Sequence, residues 1–125
     1  MARVSVKPVE PLEIEFADGT IKTAVFDIQA FILFTEEFGP LDEVMEEELK
    51  DKPYEFASKL LYCGLKKLDR SITLEEAQSI AISGGEPLLA EIVRLMIDNF
   101  MSSADEESKK KFLMKVREYN ARYRG

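Results

Sequence analysis

A chain of 125 residues with 46% apolar content can build one domain and its core without disulfide or metal staples. It carries 24 acidic and 17 basic residues, a net charge of −7, with no histidine, no tryptophan and one cysteine. That composition excludes imidazole-based triads, the usual zinc and iron sites, an intrachain disulfide and a generally phosphate-binding surface.

The charge is unevenly spread. Residues 109–125 hold seven basic residues and one acid, Glu118, for a net of +6. Residues 1–108 hold ten basic residues and 23 acids, for −13. Such asymmetry points to a basic segment that docks on its own acidic body or serves a partner. The opening MARVSVKPVEP lacks the continuous apolar stretch of a secretory signal. No apolar run approaches the ~18 residues of a membrane span. The expectation is a soluble cytoplasmic protein.

Residues 1–11, with Pro8 and Pro11, read as an extended arm. Leu12, Ile14 and Phe16 then alternate with polar residues, as on a half-buried strand. Ala17-Asp18-Gly19-Thr20 is a turn whose Asp-Gly pair favours the primed turns of tight hairpins. Ile21 to Phe26 returns as the second strand. Two strands alone are marginal in water, so the hairpin must pack on helices or gain strands from another chain.

Asp27 is suited to cap a helix over residues 28–38, and Gly39-Pro40 to stop it. Ile28, Phe31, Ile32, Leu33, Phe34 and Phe38 cover much of its circumference. A helix this apolar is central to a core or lies at an interface. A short acidic helix follows over 41–49, with Leu41, Val44, Met45 and Leu49 as its stripe. Pro53 suits the first position of the next helix, which runs to about Lys67 with Ala57, Leu60, Leu61, Leu65 and Leu68 inward. Cys63 sits in that apolar run and reads as a small buried hydrophobe.

Thr73-Leu74-Glu75-Glu76 is a capping box, in which Thr73 accepts from an early N–H while Glu76 reaches back to the Thr73 N–H. It launches a helix that Gly84-Gly85 ends. Pro87 opens a long apolar helix through about Met101. Ser103 to Glu106 is a second capping box, launching a last helix with a narrow stripe of Phe112, Val116, Tyr119 and Tyr123 among lysines and arginines. Packing on the body or docking a partner protein fits that stripe better than membrane or nucleic-acid contact, because tyrosines line its far half.

The expected architecture is therefore α+β, mainly α. An N-terminal β-hairpin (domain residues 12–104) packs on a bundle of four to six helices, and residues 105–125 form a basic amphipathic C-terminal helix. The expected core comprises Phe16, Val25, Phe31, Phe34, Phe38, Leu61, Leu65, Leu74, Ile80, Leu89, Ile92, Val93 and Leu95. Nothing suggests an enzyme or a cofactor. Gly84-Gly85 follows a helix rather than a strand and lacks the lysine of a phosphate loop. Glu36 and Glu37 have no nucleophile beside them. The acids between Asp42 and Asp51 read as a solvated face or a seat for a basic partner, the C-terminal helix being the intramolecular candidate.

One resemblance spans residues 12–101. A hairpin ending VFD, a helix ending TEEFG, a helix bearing LLYCGL, then SITLEEAQSIAISGG and a long apolar helix resemble the tail assembly chaperones of long-tailed bacteriophages. Glu36, Glu37, Gly39, Cys63-Gly64-Leu65 and Thr73 to Glu76 occupy the family's recurrent positions. The resemblance implies a non-enzymatic chaperone, of a phage or prophage, in the cytoplasm of the bacterial host. Its implied partner is the tape measure protein, kept soluble while tail tube subunits polymerise around it; the tail tube protein and further copies of the chain are secondary partners. Phe112, Val116, Tyr119 and Tyr123 are the candidate partner-binding residues. The alternatives are a structural tail or head–tail protein retained in the virion, and a host helical adaptor or regulatory domain.

Overall fold

The computed structural model describes residues 9–103, with side-chain surroundings through Asn99. The elements run β1 (Leu12–Glu15), β2 (Ile21–Ala24), α1 (Ile28–Phe38), α2 (Leu41–Glu48), α3 (Pro53–Lys66) and α4 (Leu74–Ser103). The expected architecture holds: an N-terminal antiparallel hairpin on a mainly helical body.

The hairpin pairs Leu12 with Ala24 and Ile14 with Lys22. Its turn is not primed. Gly19 donates to the Phe16 carbonyl at 2.9 Å, yet Ala17 and Asp18 both keep negative φ. An ordinary turn is followed by Gly19 at φ 88°, the form that a longer hairpin loop adopts. Asp18 accepts from the Thr20 N–H at 2.9 Å, and that bond lowers its pKa.

The inward face of β2 also differs from expectation. Ala24 and Phe26 are fully buried, whereas Val25 is half-buried and Ile21 is exposed. Directly paired residues share a face, so Leu12 and Ile14 lie on the side of Ala24 and Lys22. A small residue is required there because α3 comes close. A Cβ on Gly64 would meet the Phe26 ring at 2.6 Å and the Ala24 methyl at 3.2 Å.

α3 is the hub, packing against β2, α1, α2 and α4. Phe56, Ala57, Leu60, Leu61, Cys63, Gly64 and Leu65 are all buried along it. Pro53 occupies its first turn, as expected. Leu68 lies past the helix end and is exposed, contrary to its expected place in the stripe. Burial, and after it the charge of Glu37, pushes the Cys63 thiol up to about 12, so it behaves as core.

α4 begins at the expected capping box. The Thr73 hydroxyl accepts from the Glu76 N–H at 3.1 Å. The return bond differs: the Glu76 carboxylate accepts from the Thr73 hydroxyl at 3.3 Å rather than from its backbone N–H. Gly85 breaks α4 into two rods at φ 63°, ψ −157°, where side chains are strongly disfavoured. Ala77 and Ala81 are buried in the first rod, and Leu89, Ile92, Leu95 and Met96 in the second. Of the expected core, Phe31, Phe34, Leu61, Leu65, Leu89, Ile92 and Leu95 are buried. Phe38, Ile80 and Val93 are half-buried and packed against it, whereas Phe16, Val25 and Leu74 are half-buried without belonging to the core cluster.

Candidate interaction surface

α1 is held firmly from one side. At its start the Asp27 carboxylate accepts from the Ala30 N–H at 3.0 Å and pairs with Lys67 beyond α3. Burial opposes ionisation of Asp27, but the Lys67 and Ala30 bonds outweigh it and hold its pKa below the usual carboxylate value. At its end Gly39 takes φ 105° and donates to the Thr35 carbonyl at 3.0 Å. Between these points Ala30, Phe31 and Phe34 are buried. Phe34 meets Phe38 and Phe56 edge-on, with centroids 5.3 and 5.9 Å apart, and Phe38 meets Tyr62 at 6.1 Å. Lys59 pairs with Glu48 and lies 5.6 Å from the Phe38 ring centroid.

The opposite face of α1 is different. Successive helical residues turn about 100°, so Ile28, Ile32 and Glu36 form one ridge facing away from Ala30 and Phe34. Ile28 is 55% exposed and Ile32 is 52% exposed. Glu36 and Glu37 are also exposed, and the last turn holds no basic residue. Negative charge at a helix C-terminus is unfavourable, so this end of the ridge invites a cation. The ridge combines two apolar residues one turn apart with an electronegative end, on a helix with its ends and inner face fixed. It offers binding chemistry; among the described residues no group of three potential metal ligands occurs.

The acidic residues of α2 are divided by the fold. Glu48 turns toward α3 and pairs with Lys59, while Glu43, Glu46 and Glu47 are exposed. The sequence-predicted partner residues Phe112, Val116, Tyr119 and Tyr123 lie outside the described residues. Ile28 and Ile32 were not singled out from sequence, because α1 is apolar over most of its circumference. The available signal was their i, i+4 spacing opposite Phe34.

No protein-family model matches this chain, and no curated protein or solved structure does so either. No helix among the described residues is long and apolar enough to cross a membrane.

Proposed function

We propose that this chain is a non-enzymatic tail assembly chaperone of a long-tailed phage or prophage, acting in the bacterial cytoplasm. It binds the tape measure protein and keeps it in solution while tail tube subunits polymerise. The observation that carries this reading is the outward Ile28–Ile32–Glu36 ridge of α1. An amphipathic client helix needs an apolar partner surface to prevent aggregation through its own stripe. A helix pinned on its inner face presents such a surface without reorganising.

Residues within the segments that carry the resemblance have identifiable local roles. Gly39 ends α1, Gly64 lets α3 approach the hairpin, Thr73 caps α4 and Gly85 breaks it. These are structural roles, and they support the ordered match of caps and stops.

The test is co-expression with the long helical protein encoded beside this gene. The wild-type chain should bring that protein into the soluble fraction, and an Ile28→Glu/Ile32→Glu variant should not. Mass spectrometry of purified particles separates a chaperone from a retained tail component. A chaperone is absent from the finished virion, and its presence at stoichiometric amounts would overturn the proposal.

A further inference from the structure

We propose that the free edge of β1 takes an extended segment of a partner protein as a third strand, one that alternates basic and apolar residues. The docking site is the main chain of Glu13 and Glu15. It is distinct from the α1 ridge and does not rest on the function proposed above.

The hairpin register decides which main-chain groups are open. The Phe16 N–H donates to the Thr20 carbonyl at 2.8 Å, so the even-numbered residues of the two strands exchange hydrogen bonds across the ladder. In an antiparallel pair the residues between them direct their N–H and C=O outward. Beyond the end of β2, Val25 obeys that rule, and its outward N–H donates to the Gly64 carbonyl of α3 at 2.9 Å. On β1 the outward groups belong to Glu13 and Glu15, and among the described residues nothing bonds to them. Both residues are exposed. Pro11, two positions earlier, has no N–H to offer and bounds the site.

Burial shows the sheet unfinished on the same side. Ala24 is fully buried, but its direct partner Leu12 is only half-buried, as is Ile14, although both pack against the core. A strand beside β1 would set a side chain over that margin. Two strands of four residues each are a marginal sheet by themselves.

The edge also specifies its occupant. Directly opposed residues share a face. A segment bonded to Glu13 and Glu15 therefore places its alternate side chains beside those carboxylates, and the intervening one beside Ile14 on the core face. Lysine or arginine suits the first positions and an apolar residue the second. The same carboxylates turn away a second copy. Antiparallel pairing of β1 with its own copy sets glutamate opposite glutamate, which is destabilising, and charges on an edge strand guard against such self-pairing. Strand addition draws affinity from main-chain hydrogen bonds and selectivity from alternate side chains, so it does not depend on a large apolar area.

The experiment is amide hydrogen exchange on the full-length chain, read at Glu13 and Glu15. The probe is a short capped peptide alternating valine and lysine. With the peptide at about ten times its Kd, both amides should exchange about tenfold more slowly, with those of α3 unchanged. No slowing at any soluble peptide concentration would overturn the proposal. A peptide N-methylated at its lysines keeps the charge and loses the donors, so it should give no protection. Equal protection by that peptide would reduce the effect to surface charge and overturn strand addition. Glu13→Lys/Glu15→Lys should reverse the preference, favouring a peptide that alternates valine and glutamate. An unchanged preference would refute the assigned occupant. Slow exchange at Glu13 and Glu15 without peptide would also overturn the proposal, because the edge would then already be covered by the chain itself or, if dilution removed the protection, by a second copy.

Discussion

The Val25 N–H donates to the Gly64 carbonyl at 2.9 Å, joining the end of the hairpin to the last turn of α3. The last carbonyls of a helix lack intrahelical partners. Leu68, whose N–H would continue the ladder to Gly64, bonds Leu65 instead at 3.2 Å. The strand supplies the missing donor, and only a residue without a Cβ lets it come that near. Gly64→Ala should therefore destabilise the chain by ~1–3 kcal/mol through overpacking against Phe26 and Ala24. Gly19→Ala is the control: it meets no atom within 4 Å, and its cost of ~1 kcal/mol comes from φ alone. Urea unfolding of both variants checks the difference.

Gly85 should be intolerant for a reason unrelated to space. The nearest atom to a Cβ there is Pro87 Cδ at 3.8 Å, an ordinary contact. The φ 63°, ψ −157° backbone is the obstacle. Gly85→Ala should cost ~1–3 kcal/mol, or straighten α4 and misplace Leu89 and Ile92. Thermal melting with near-ultraviolet circular dichroism separates these outcomes.

The two faces of α1 should respond in opposite ways. Phe34 is fully buried between Phe38 and Phe56, so Phe34→Ala should cost ~3–5 kcal/mol. Ile32→Glu, on the outward ridge, should change stability by less than ~0.5 kcal/mol while reducing client solubilisation. Denaturation midpoints beside the co-expression yield give both readings.

Asp27 ties stability to pH. Its folded pKa is depressed, so its contribution is present above the unfolded value of ~3.9 and is lost as pH falls through the folded value. Asp69, lowered first by its bond to Lys22 and then by Ser71, acts in the same window. Asp27→Asn keeps a good capping residue and removes the charge facing Lys67. The variant should be less stable than wild type at pH 7, with the gap closing below about pH 4. Urea midpoints across that range test the sign.

Cys63 should be silent in the folded chain. Burial raises its thiol pKa to about 12, leaving almost no thiolate at pH 8. A thiol reagent should label it only at the rate of unfolding, and fast native labelling would show that the site opens locally.

Much of this fold is written in local sequence. Asp27, Gly39, Pro53, Thr73 and Gly85 mark element boundaries because caps and stops are short-range chemistry. The same locality made the mainly helical body and its hairpin legible. Sequence failed where two elements meet. Ile21 and Val25 are the more apolar choices on β2, yet the inward face belongs to Ala24 and Phe26, because Gly64 on α3 admits a methyl and a ring edge there. The Asp-Gly pair suggested a primed turn, but the loop length selected an ordinary turn followed by Gly19. α1 shows the limit most clearly. Its apolar residues nearly encircle it, so no periodicity separates the buried side from the presented one. Packing of Phe34 against Phe38 and Phe56 made that choice and left Ile28 and Ile32 facing outward. Local rules set where each element begins and ends; burial against α3 decided which face each element shows.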